Sequence, residues 1–288
     1  MANIDFRNQV AEFAGLVDNC GMPVIGFGLK EFDTEIVASL NRSAKWAKIL
    51  VVGPPGLAAI EGFDTIIDGY PEQRLATLLA TDEVEGIVRG TIDDFKTLEA
   101  YERLSGERHT FIPALLELPK GQQLFLSPAS NPEGWVKEDR LHIAEGISAF
   151  VADWGINPTI AVYTGVRHDT YERRKHECGG IIGTLNKTYQ DAEWIVAELT
   201  KKGYFAKNWS IDLNVAIKEG YVVHIPVNGM VGNQAFRGLL AGGGKVLAAP
   251  RLGLSRPYED NSRTEKDFDF HIKWLVAQIN RRKGSQPR

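Results

Sequence analysis

The sequence predicts an α/β fold in which a mostly parallel sheet is covered by helices. Two features carry that prediction. From Pro23 onward, apolar runs of strand length alternate with segments of helical period, and several of the runs end in Gly or Pro, where a strand turns toward a helix. The length of 288 residues is enough for two ordinary domains or one large α/β unit with a sizeable core.

Taken in order, the strand candidates are Pro23–Gly28, Lys48–Gly53, Asp64–Asp68, Glu85–Arg89, His109–Leu116, Thr159–Thr164, Tyr221–Pro226 and Lys245–Ala249. Helical patterns lie between them at Leu29–Ala44, Pro71–Thr81, Ile92–Ser105, Glu138–Trp154, Tyr189–Lys202, Val231–Leu240 and Lys266–Asn280. In the last of these, Phe268, Ile272, Leu275, Val276 and Ile279 recur at spacings of three and four, so one stripe faces a core. The segment Arg281–Arg288, with Gly, Ser, Gln, Pro and four basic residues, is expected to fray into solvent. The turn-rich stretch Leu126–Gly134 reads as a long loop or a connection at a lobe boundary.

Composition narrows the function classes. A content of 43% hydrophobic and 24% charged residues is that of a folded globular protein, and a net charge of −4 gives no general attraction to a polyanion, so no nucleic-acid partner is expected. The absence of a long apolar run or signal-peptide core predicts a cytoplasmic protein without a membrane partner. Only Cys20 and Cys178 are present, far apart, so stability is expected from packing rather than from a disulfide framework.

Three segments contain residue types suited to chemistry. Pro226–Arg237 follows an apolar strand and opens a helix; it reads either as an anion cradle, in which Asn228, Gly229, Gly232 and Asn233 let free amides approach a phosphate or carboxylate, or as a tight turn without a ligand. Leu252–Arg263 precedes the terminal helix, and Asp260, Asn261 or Ser262 could cap it. Arg263 opposes the dipole of a helix start and so calls for solvent or an anion, while Asp269 could be drawn beside it as a general base. The run Arg167–Cys178 holds several cations but also Asp169, Glu172 and Glu177, which favours a solvated face over a phosphate site; His168, His176 and Cys178 match no common zinc spacing, and no metal is expected.

In order as well as in residue type, these segments resemble the phosphotransacetylase family. The resemblance rests on Val84–Thr91, on Gly155–Val162, on Pro226–Asn233 with the following Gly243-Gly244, and on Gly253–Arg263. It implies a two-lobed, isocitrate dehydrogenase-like subunit, with residues 1–107 and a returning segment 256–288 in the first lobe, 108–255 in the second, an active site in the cleft and a homodimeric assembly. The family passes an acyl group between coenzyme A and phosphate. By position, Ser262 and Arg263 would then bind the anion and Asp269 would activate the thiol, with Arg89, Gly90, Thr164 and Asn214 among the ligand-binding residues.

Two departures stand out. Arg89 replaces the serine of the family's Ser-Gly-Ala turn, where it would fill part of the acyl site and add a positive charge from the opposite lobe. Asn214 falls where the family has an Asp-x-Ala segment. Within the superfamily, Glu259–Asp269 and Asn228–Asn233 are most similar to a methanogen branch, the methyltransferase-related MtxX group or methanogenesis marker protein 4. The resemblance therefore implies a transferase acting on a small anionic or phosphorylated substrate, with coenzyme A as co-substrate and no tightly bound cofactor. The alternative is a non-catalytic or methyl-transferring subunit partnered by a methyltransferase or corrinoid protein.

Overall fold

The structure, a computed structural model, describes residues 5–15, 21–130 and 132–284, so Cys20, Asn131 and the last four residues lie outside it. The chain divides into two compact units, one of Phe6–Thr110 with Leu247–Arg288, the other centred on Phe111–Val246. The family resemblance implies a return at residue 256; the compact unit includes the chain from Leu247, where Ala249 and Pro250 pair antiparallel with Asp260 and Glu259.

The first unit contains α1 (Phe6–Ala14), β1 (Val24–Gly28), α2 (Thr34–Ser43), β2 (Lys48–Gly53), β3 (Asp64–Ile67), α3 (Pro71–Ala80), β4 (Gly86–Val88) and α4 (Asp94–Ser105). It is completed by β10 (Lys245–Pro250), β11 (Tyr258–Asp260) and α10 (Asp269–Gly284). Its strand order is β3-β2-β1-β4-β11-β10, parallel except for the β10–β11 pair. Helices cover both faces, so the central strands are apolar along their length, with Ile25, Phe27, Val51, Val52, Ile87 and Val88 all buried. Local chemistry sets the helix starts: Asp33 accepts from the amides of Glu35 and Ile36, Asp93 accepts from Lys96, and Pro71 occupies the first turn of α3.

The predicted stripe of the terminal helix is buried in full, and Phe268 meets Phe27 edge to face at 4.9 Å. Burial extends further round the helix, to His271, Trp274, Gln278 and Asn280. The helix begins at Asp269, later than expected, so none of Asp260, Asn261 and Ser262 caps it. It also continues through Arg281, Arg282 and Lys283, residues expected to fray; Arg282 donates to the carbonyl of Ser255, and Lys283 pairs with Glu85.

The second unit contains β5 (Ala114–Glu117), β6 (Gln123–Leu126), α5 (Lys137–Asp153), β7 (Thr159–Val162), α6 (His168–Arg174), α7 (Gly180–Lys201), β8 (Phe205–Asn208), α8 (Leu213–Lys218), β9 (Val223–Ile225) and α9 (Gly229–Ala241). Its order is β5-β6-β9-β7-β8, with β5–β6 antiparallel and the other pairs parallel. Among the described residues no helix is long and apolar enough to cross a membrane.

At the centre of this sheet, His224 donates from Nε2 to the carbonyl of Tyr221 (2.9 Å), which leaves Nδ1 to accept from the Tyr163 hydroxyl (2.6 Å). Burial lowers the His224 pKa to about 4 against the opposing backbone bond. A buried neutral histidine contributes stability above its unfolded pKa of 6.5, and that contribution is lost as pH falls toward 4. Thermal melts of the wild type should therefore lose stability over this window, and His224→Gln should show a shallower loss; equal slopes would mean that His224 does not titrate with unfolding.

Candidate functional site

Ligands of open parallel α/β sheets gather at the carboxyl ends of strands where the strand order reverses. In the first unit this reversal falls between β1 and β4. Three loop segments meet there: the residues after Gly28, Arg89–Thr91, and Asn261–Arg263. Thr91 donates its amide to Gly28 (2.9 Å), Lys30 donates its amide to the Thr91 hydroxyl (2.8 Å), and Asn261 donates from Nδ2 to Gly90 (3.0 Å). Gly90 adopts φ 63°, and a Cβ there would lie 1.9 Å from the carbonyl oxygen of Gly28. Only glycine permits this approach.

Arg89, expected among the ligand-binding residues, lies buried beside the loop after β11. It is 6% exposed, and its guanidinium donates to Asp260 Oδ1 (2.9 Å) and to the carbonyl of Asn261 (2.6 Å). Asp260 also faces Arg251 at 3.5 Å, and Arg251 pairs closely with Asp94, which accepts from the Tyr258 hydroxyl (3.2 Å). Two cations and two carboxylates thus alternate through the buried cluster. Burial and the charge of Asp260 raise the Asp94 pKa against the pull of Arg251. The charge of Arg89 is matched inside the unit, and its contacts with Asp260 and Asn261 tie it to the loop after β11.

That loop is closed a second time. Glu259, fully buried on β11, accepts from the amide of Ala249 (2.6 Å) and from His271 Nδ1 (2.8 Å), while His271 Nε2 lies 3.9 Å from Glu265 beyond the loop. Burial alone would lower the His271 pKa, but the hydrogen bonds of Glu259 and Glu265 prevail and raise it to about 9.

Between these anchors, Ser262 shares a hydroxyl contact with Thr264 at 3.2 Å. Arg263 is exposed and forms no ion pair among the described residues. It lies six residues before α10 rather than in its first turn. Asp269 is not paired with Arg263; its carboxylate accepts from the Ser43 hydroxyl (3.1 Å) and so fastens the start of α10 to α2.

In the second unit the order reverses between β9 and β7. Thr164 is buried after β7, where its hydroxyl donates to the carbonyl of Val166 (2.5 Å). Asn228 caps α9 by accepting from the amide of Val231 (2.9 Å), and Asn233 donates to Ala129 (2.9 Å). The two glycine amides expected to cradle an anion are already engaged: that of Gly229 donates to Glu133 (2.8 Å) and that of Gly232 to Asn228 (2.9 Å). A Cβ on Gly229 would lie 1.7 Å from the Ser130 oxygen, and one on Gly232 would lie 1.8 Å from the Pro128 oxygen. These glycines let the turn into α9 pack against the backbone of Pro128, Ser130 and Glu133. Asn214 is exposed on α8.

The basic run forms α6 and the turn after it, laced by the pairs Arg173–Asp169, Arg174–Glu177 and Lys175–Glu172 on a solvated face. Among the described residues no group of three His, Cys, Asp or Glu side chains is arranged to hold a metal.

Sequence reasoning passed over Asp94, Arg140, Arg251, Glu259 and His271. Two of them left a signal. Arg140 and His271 each occupy a core-facing position in an apolar helical stripe, before Ile143, Ala144 and Ile147 in one case and between Phe268 and Leu275 in the other.

No protein-family model matches the chain. A curated Methanosarcina barkeri protein named "Putative methyltransferase mtx subunit X" is 29% identical over 267 residues, covering 91% of this chain and 95% of that protein. A protein of the same name from Methanosarcina mazei is 28% identical over 217 residues, covering 75% and 74%. Among solved structures, a branched-chain phosphotransacylase from Enterococcus faecalis V583 superposes with a TM-score of 0.69 at 15% identity, covering 90% of this chain and 99% of that one. The superposition bears out the fold inferred from the motifs, and the curated relatives bear out the branch.

Arg89→Ala should cost about 3 to 5 kcal/mol in urea unfolding, the range for removing one partner of a buried pair; a loss below about 1 kcal/mol would match an exposed ion pair instead. For His271 the folded pKa lies above the unfolded 6.5, so its stabilisation is complete below 6.5 and is lost as pH rises toward 9. His271→Gln should flatten the stability profile over that interval, and an unchanged profile would contradict the assignment.

Proposed function

The chain has the phosphotransacetylase fold and is related in sequence to the mtx subunit X proteins, and from that premise we propose that it is a transferase that holds a phosphate- or coenzyme A-type ligand by Arg263 and transfers an acyl or related group. One observation carries the reading: Arg263 stands exposed and without an ion pair at a strand end where every neighbouring buried charge is matched. Its planar fork suits bidentate contact with a phosphate oxygen pair. Ser262 supplies a hydroxyl beside it.

In acyl transfer from an acyl phosphate, Asp269 would take the proton of the acceptor thiol, and sulfur would attack the acyl carbon. The carbon–oxygen bond to phosphate would break, and the phosphate would leave against Arg263. Coenzyme A would serve as a co-substrate rather than a resident cofactor. The reading also includes a homodimer working in the cytoplasm, supported by the family resemblance and the composition.

A second reading has one observation in its favour. Arg89 stands where the family has serine, and it belongs to the buried cluster, so that position offers no hydroxyl to an acyl group. With the relatives' names, this supports a subunit of a methyl-transfer system, partnered by a methyltransferase or corrinoid protein.

Calorimetry of coenzyme A, acetyl phosphate and inorganic phosphate separates the two. The transferase reading expects binding by the wild type that weakens about 10- to 100-fold in Arg263→Ala, the worth of a charged hydrogen-bonded contact, with an unchanged melting temperature. No binding of any of the three by the folded wild type would overturn it, and recovery of a stable complex with a corrinoid protein would then support the second reading.

A further inference from the structure

Arg140 is a buried cation with no ion pair among the described residues. It lies in the first turns of α5, is 2% exposed, and donates from Nη2 to the carbonyl of Tyr163 (2.7 Å), just past the carboxyl end of β7. Its Nε is buried with no acceptor. Among the described residues no carboxylate lies within ion-pair distance of it; Asp191, the acid whose field it feels, is held by Lys187 at 2.8 Å. Burial lowers its pKa only to about 10, so it keeps its charge at neutral pH.

The other buried arginines among the described residues, Arg89 and Arg251, each face a carboxylate. A buried guanidinium that donates to one carbonyl, leaves its Nε unpartnered and touches no carboxylate among the described residues is unfavourable to bury unless an anion completes the site. Its location is where this sheet type receives ligands, because Tyr163 pairs with Ile225 of β9 (3.0 Å) at the reversal of strand order.

We propose that Arg140 is the anion-binding group of the second unit and receives a phosphate or carboxylate oxygen at the carboxyl end of β7. The proposal does not depend on Arg263, and the test separates the two. The full-length chain is compared as Arg263→Ala, Arg263→Ala with Arg140→Met, and Arg263→Ala with Arg140→Lys, by calorimetry and thermal melting in inorganic phosphate and, separately, in acetate.

Arg263→Ala should retain one site for phosphate or acetate, and whichever ion binds identifies the group. Arg140→Lys should weaken that site at least about tenfold, since the charge remains but the fork is lost, and Arg140→Met should abolish it. In anion-free buffer the Arg140→Met chain should melt no lower than its parent, because an unpaired buried charge has been removed. Two outcomes would overturn the proposal. One is the absence of phosphate and acetate binding in folded Arg263→Ala; the other is equal anion binding with and without Arg140, as expected if the guanidinium serves only the Tyr163 carbonyl. If the Met variant does not fold, the Lys variant decides alone.

Discussion

The candidate site in the first unit depends on the buried alternation Arg89–Asp260–Arg251–Asp94. Each of these charges would be costly to desolvate alone, and each has an opposite neighbour. The cluster ties the end of β4, the β10–β11 ribbon and the start of α4 to one another. Breaking it would release the loop after β11. The Glu259–His271–Glu265 contacts hold the same loop from the other side, so Ser262 and Arg263 project from a fixed base although neither has a strong tether of its own.

The second unit shows how one composition can serve different ends. Asn228, Gly229, Gly232 and Asn233 have the makeup of an anion cradle, yet Glu133 and Asn228 satisfy the glycine amides, and the missing side chains make room for backbone oxygens at Ser130 and Pro128. Glycine marks a close approach; what approaches is decided by the fold. In this unit the buried charge that touches no carboxylate among the described residues is that of Arg140, on the same buried helix face as Ile143, Ala144 and Ile147.

Legibility in the sequence followed the strength of the local pattern. The long apolar runs of β1 and β2 and the amphipathic α3, α4 and α10 were readable because burial imposes a period that few other forces mimic. β6, β8 and β11 were missed. Each is only three or four residues long, and β8 alternates exposed and half-buried positions at the edge of its sheet, so it carries little hydrophobic signal. The late start of α10 was hidden because Lys266 and Asp267 have helical composition but are drawn off, Lys266 to Asp33 and Asp267 to Arg42. The order of motifs pointed to the fold. Yet charge partners separated by 171 residues, such as Arg89 and Asp260, leave no local trace.

In the proposed function the arginines divide the work: Arg263 meets the ligand, while Arg89 and Arg251 hold the loop that presents it. Titration of inorganic phosphate into the 15N-labelled protein, read at the Nε–H resonances of these three residues, tests that division directly. A saturable shift is expected at Arg263, with Arg89 and Arg251 unmoved and protected from solvent exchange. A shift at Arg89 with Arg263 unmoved would contradict it.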